Sequence, residues 1–128
     1  MATAIQMIIK LINDFLYAEI NQGFSTLEPY IRFAERVEKH KFQFRESLES
    51  LKRENKTCYG YGASTKGNVL LQFCGITPSD IPLIAEVNKE KYGCFTPGTK
   101  IPIVSEREAK ERNPDIFVVF PWHFRDSI

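Results

Sequence analysis

The segment Cys58-Tyr-Gly-Tyr-Gly-Ala-Ser-Thr-Lys-Gly-Asn68 narrows the choice of folds more than any other part of the chain. It joins a short apolar stretch of β type to an amphipathic helical one through a turn built on Gly60, Gly62 and Gly67. A strand that passes through such a turn into a helix is the opening half of a parallel crossover, so the chain is directed to an α/β layer. Glycine there also lets a ligand approach the main chain, and the helix that follows offers unpaired N–H groups and a positive dipole end. Lys66 adds a full charge, and Ser64, Thr65 and Asn68, next to Ala63, add short polar groups. The turn therefore reads as an anion cradle suited to phosphate. A tight strand-to-helix turn that needs glycine for geometry alone is the competing reading, and it leaves the Ser-Thr-Lys-Gly-Asn cluster unaccounted for.

The glycine spacing, G-x-G-x-x-x-x-G, departs from the dinucleotide fingerprint and from the P-loop, which needs Gly-Lys followed by Ser or Thr. Ordinary NAD or ATP binding is not indicated. A ribose-holding acid about 20 residues further on would be Glu86, at the end of the next apolar run.

A chain of 128 residues with 43% hydrophobic content suits one compact domain with a real core. Seventeen basic and sixteen acidic residues leave a net charge of +1, so no global field draws the protein to nucleic acid or an anionic membrane. Cys58, Cys74 and Cys94 form no C-x-x-C pair, which fits a reducing compartment and speaks against a disulfide framework or a zinc site. Lys10, Asn13, Asp14 and Glu19 interrupt the apolar N-terminal run, making it an amphipathic helix rather than a span or a secretory signal. The expected location is the cytoplasm.

Ile5, Ile8, Ile9, Ile12, Leu16 and Ile20 recur at helical spacing, with Gly23 placed to end that helix near Asn21. Ser25-Thr-Leu-Glu28 reads as a capping box for a second helix running to about Glu54. Its stripe is Leu27, Ile31, Ala34, Val37, Phe44, Leu48 and Leu51, broken at Lys41, and its charged face, including Arg45 and Lys52, reads as solvated surface. The helix is longer than one face of a small sheet needs, so part of it is expected to pack on another domain or chain, with self-association as one outcome. The helical pair is assigned to residues 1–55 and an α/β core to 56–128.

In that core, strands are expected at Thr57-Tyr61, Leu83-Val87, Ile101-Val104 and Ile116-Phe120, with helices at about Lys66-Cys74 and Glu106-Arg112. Gly75 would close the first of these helices, Ser105 cap the second and Asn113-Pro114 stop it. The fold class is α/β: a Rossmann-like parallel sheet of about four strands with flanking helices, preceded by two N-terminal helices. Ligands of open α/β sheets lie beyond the carboxyl ends of the strands, here residues 62–68, 88–92, Ser105 and 121–125. Asn88 is placed to meet a base or ribose, or else simply belongs to a charged turn. Thr96-Pro-Gly-Thr-Lys-Ile-Pro102 should cross beneath the sheet, away from that crevice. Trp122, His123 and Arg125 offer a stacking face, a titrating donor and a charge, although a His between Trp and Phe is commonly structural. No nucleophile with a base, carboxylate pair or metal cluster can be assembled, so no catalytic residue is assigned.

Three ordered segments, Tyr61-Gly-Ala-Ser-Thr-Lys-Gly-Asn68, Thr96-Pro-Gly-Thr-Lys-Ile-Pro-Ile103 and Pro121-Trp-His-Phe-Arg125, resemble the C-terminal domain of the SAM-dependent sugar C-methyltransferases, over about Leu16 to Ile128. The resemblance implies a Rossmann-type domain that has lost SAM binding and helps to hold a nucleoside diphosphate keto-sugar against a SAM-binding methyltransferase domain, in cis or in trans. It implies a diphosphate at the glycine turn with Ser64, Thr65, Lys66 and Asn68, and a cleft lined by Asn88, Trp122 and His123. The family's zinc cluster, SAM loop and proposed base lie upstream, so the chain itself carries no cofactor and looks cut at both ends. Two other readings stay open: a free-standing Rossmann-like domain for another phosphorylated ligand, a coenzyme or nucleotide, and an assembly module with a vestigial site.

Overall fold

The structure is a computed structural model that describes residues 3–122. It divides into two compact units, residues 1–40 and 41–128, with the boundary inside a helix.

In the N-terminal unit, α1 (Ala4–Asn21) starts at a capping box of its own: the Gln6 N–H donates to Thr3 Oγ1 and the Thr3 N–H to Gln6 Oε1. It ends as expected at Gly23, whose φ of +79° lets Gly23 and Phe24 donate back to Ile20 and Glu19 carbonyls. The box expected at Ser25 is not formed. α2 (Glu28–Arg53) begins at Glu28, and the Thr26 hydroxyl instead donates to the Gly23 carbonyl, because the chain is still completing the turn that leaves α1. Taken by itself, this unit leaves the large apolar side chains of α1 50–69% exposed, from Ile5 to Ile20. No helix of the described residues is long and apolar enough to cross a membrane.

The second unit contains the last turns of α2 and the α/β layer: β1 (Cys58–Tyr61), α3 (Thr65–Phe73), β2 (Ile84–Glu86), a 3-10 turn (Lys89–Lys91), β3 (Ile103–Ser105), α4 (Glu106–Glu111) and β4 (Ile116–Val119). The four strands are all parallel in the order β3-β2-β1-β4. Strand ends fall within two residues of expectation. β1 is central, pairing Gly60 with Ile84 on one side and Val118 on the other, and all four of its residues are buried. That continuous burial is what a parallel strand covered on both faces requires.

Alternation along β1 feeds two cores. Cys58 faces Ile84, Leu71, Cys74, Ile76, Ile81 and Ile101, covered by Leu48 and its neighbours Phe44 and Leu51 from α2. Tyr59 and Tyr61 face Leu83, Ala85 and Ala109 of α4, with Phe117 set edge-on to both rings at 6.3 and 6.0 Å. Burial in the first core pushes the Cys58 thiol up to about 11. None of the three cysteines is disulfide-bonded.

The charged face of α2 is less solvated than its composition suggests. Arg45 donates to the Cys74 and Gly75 carbonyls at 2.9 and 3.0 Å, capping the C-terminus of α3 where Gly75 turns left-handed. Lys52 pairs with Asp80, and Lys41 lies 4.7 Å from the Phe73 ring centre, so the expected break in the stripe is a cation over an aromatic face. Sequence periodicity misses these contacts because their partners come from a different element.

Candidate functional site

The strand order reverses at β1, whose carboxyl end, with that of β4, defines the switch-point crevice of an open α/β sheet. Chain leaving β1 forms the glycine turn. Gly62 has a φ of +85°, and Ser64 caps α3, accepting from the Gly67 N–H at 3.0 Å. Gly62 donates to the Ala85 carbonyl and Ser64 to the Gly62 carbonyl, whereas among the described residues the Thr65 and Lys66 N–H groups have no acceptor. These are the orphan donors of a helix start. Thr65 and the Lys66 side chain are exposed beside them.

The glycines themselves meet protein. A Cβ on Gly60 would lie 2.8 Å from Phe120, one on Gly67 2.9 Å from it, and one on Gly62 2.5 Å from Pro121. The end of β4 thus packs on the bare backbone of the turn, and this close approach accounts for glycine at 60, 62 and 67 without a ligand. The open donors begin one step further along, at Thr65. Asn68 sits in the first turns of α3 with Oδ1 buried and, among the described residues, without a hydrogen-bond partner, a polar group that native interiors rarely leave unanswered.

The carboxyl end of β2 is tied to the same turn. Glu86 is 6% exposed, and its carboxylate receives four donors: Val87 and Asn88 N–H on Oε1 at 2.8 and 3.0 Å, and Ala63 N–H and Lys91 Nζ on Oε2 at 2.9 and 3.3 Å. Burial raises its pKa, but the N–H groups of Asn88, Val87 and Ala63, with Lys91, outweigh this and hold it below the usual carboxylate range. Four donors fill the four lone-pair positions of a carboxylate. Glu86 therefore does not match the expected ribose-holding role, because its carboxylate is already occupied by main-chain N–H groups and Lys91.

Of the other expected residues, Asn88 lies next to this knot but caps the 3-10 turn, its Oδ1 accepting from the Glu90 N–H. Ser105 caps α4 and lines a separate shallow cavity of about 560 Å³ with Val87, Lys89, Tyr92, Glu106 and Arg107. Trp122 is 65% exposed immediately after the Phe120-Pro121 cover. His123 and Arg125 lie outside the described residues. The Thr96–Pro102 segment closes on itself through Thr96, which is buried and holds the Ile101 N–H, and is braced by Gln72 near the far end of α3. It stands at the amino edge of the sheet, away from the turn, as expected. Lys91 lies inside the expected 88–92 segment, but its part in this knot is one that sequence reasoning did not single out. The only sequence signal for it is the spacing of Glu86 and Lys91 astride a turn.

Fold and turn together describe an α/β domain with a four-stranded parallel sheet, whose glycine turn is covered by the residues that follow its last strand. Residues 3–128 match the sequence profile of the C-methyltransferase C-terminal domain, and the chain belongs to that family. It is 33% identical over 115 residues to the C-methyltransferase NovU of Streptomyces niveus, covering 90% of this chain and 27% of NovU. The chain thus spans about a quarter of the length of that relative.

Proposed function

We propose that this domain holds the diphosphate of a nucleotide-linked keto-sugar while methyl transfer from S-adenosylmethionine takes place on a methyltransferase domain, in cis or in trans. The observation that carries this reading is the pair of N–H groups at Thr65 and Lys66 that have no acceptor among the described residues, flanked by the exposed Lys66 side chain, at the sheet's switch point. Family membership supplies the reaction class. The domain's contribution is affinity and orientation, because holding the diphosphate fixes where the sugar carbon stands relative to the methyl donor. Asn68 is assigned with Ser64, Thr65 and Lys66 to the diphosphate, and Asn88, Trp122, His123 and Arg125 to the rest of the cleft.

Titration calorimetry with dTDP, a dTDP-sugar, CoA and NAD tests the reading: the two thymidine ligands bind and the coenzymes do not. Binding of CoA or NAD instead favours a free-standing domain for another phosphorylated ligand. Lys66→Ala is expected to weaken dTDP binding by about 1.5–3 kcal/mol, less at high salt. An unchanged affinity refutes the Lys66 contact.

An assembly role has its own support in α1. Its apolar side chains occupy well over the single stripe that a surface helix needs, and the N-terminal unit by itself buries none of them. We assign this face to association, with the methyltransferase domain or with a second copy. Sedimentation of the chain alone separates the two: a dimer indicates the second copy, a monomer the methyltransferase domain.

A further inference from the structure

We propose that Glu86 and Lys91 form a latch that sets the shape of the glycine turn, and that by turning the β2 carboxylate inward they make ligand binding indifferent to the ribose 2′-hydroxyl. The second half of this rests on the diphosphate-binding reading above; the first does not.

The geometry is specific. Lys91 Nζ donates both to the Ala63 carbonyl, at 2.9 Å, and to Glu86 Oε2, while the Ala63 N–H donates to that same oxygen. Both polar groups of one turn residue are therefore gripped by one ion pair anchored on a different strand. Gly62 on the preceding position is held to Ala85, so the chain is fixed on β2 just before it releases the open Thr65 and Lys66 donors. Ser64 has φ of −90° and ψ of 156°, the extended backbone of an N-cap, and it is tied to α3, so the part of the turn held from β2 is Gly62 and Ala63. Glu86, with a side chain 8% exposed, is a buried anion whose removal would strand three N–H groups; Lys91, 41% exposed, can be changed without opening the core. Lys91 is thus a positioning residue: it lies under the turn and acts on the anion site through Ala63. The same four bonds leave Glu86 no lone pair for a 2′-hydroxyl, the group a free carboxylate at this strand end would hold.

The full chain with Lys91→Met and Lys91→Arg is compared with the unaltered protein. Backbone hydrogen exchange at Ala63 should quicken at least tenfold in Lys91→Met while Ile84 and Ala85 in β2 keep their protection, and Lys91→Arg should restore most of the slowing. Unchanged exchange at Ala63, or loss of protection throughout β2, overturns the latch. Where the diphosphate reading holds, dTDP affinity in Lys91→Met falls about five- to tenfold and returns in Lys91→Arg; binding that stays constant while Ala63 loosens overturns the link to the site. dTDP and its ribo counterpart, 5-methyluridine diphosphate, should bind within twofold of each other. A fivefold or greater preference for the ribo ligand that vanishes in Glu86→Gln overturns the indifference. Failure of both diphosphates to bind sinks the diphosphate reading and this indifference with it, and the latch is then decided by exchange at Ala63.

Discussion

Gly62→Ala separates the two reasons for glycine in the turn. At a φ of +85° an L side chain costs roughly 1–2 kcal/mol, and the new Cβ would stand 2.5 Å from Pro121 Cδ and 2.6 Å from Cγ, an overlap worth about 1–3 kcal/mol more. The total is about 2–5 kcal/mol. Gly93→Ala is the natural control, since Gly93 has a similar φ of +77° but nothing within 4 Å of its would-be Cβ. It should cost only the backbone part, about 1–2 kcal/mol. Urea unfolding followed by circular dichroism reads the difference: with a slope of about 1.5 kcal/mol per molar, the Gly62→Ala midpoint falls roughly 0.7–2 M below that of Gly93→Ala. Equal midpoints at equal slope would show that Pro121 does not rest on the turn. The glycines would then have to be explained by something other than the cover from β4.

Acid should weaken the α/β unit in a defined window. Glu86 and Asp80 have folded-state values below their ordinary 4.5 and 3.8; for Asp80, burial raises the value but the bonds from Lys52 and Thr77 lower it further. The stability they add is fully present above about pH 4.5 and is lost as pH falls through the folded values, so the unfolding midpoint should drop steeply below pH 4. A flat profile from pH 6 to 3 contradicts those hydrogen bonds. Cys58, with its thiol up to about 11, should resist iodoacetamide at pH 8 while the exposed Cys94 is alkylated, as mass spectrometry of the digested protein would show. Rapid labelling of Cys58 would mean that the first core opens readily. Arg45→Met, which strips the α3 C-terminus of two hydrogen bonds, should lower stability by about 1–3 kcal/mol in the same urea assay. A change under half a kilocalorie would class Arg45 with the solvated face.

Local chemistry made much of this fold legible in advance. Gly23, Gly75 and Asn113 end helices because a left-handed residue closes the chain back on its own last turn, and Ser105 starts one because a hydroxyl reaches an amide three residues on, whereas Ser64, read in the sequence as a ligand donor, starts α3 in the same way. These bonds span a few residues and are written in the sequence next to them. Alternating apolar runs and helical stretches likewise dictate parallel strands, and the ordered motifs carry the family. The Ser25 box was misread for the same local reason: its pattern is correct, yet the chain there is committed to leaving α1, and the box that forms is at Thr3.

What only the tertiary structure decided is who stands next to the glycine turn. Phe120 and Pro121 reach it because β4 pairs with β1, and Glu86 and Lys91 reach it because β2 pairs with the other side. Nothing in the residues 60–68 records which strands will flank them. A glycine that admits a phosphate and a glycine that admits a proline ring obey the same local rule, and a carboxylate at a strand end serves a ribose or a backbone equally well. The strand order chose between them, because hydrogen-bonding capacity and space are used up by whichever group the sheet brings within reach.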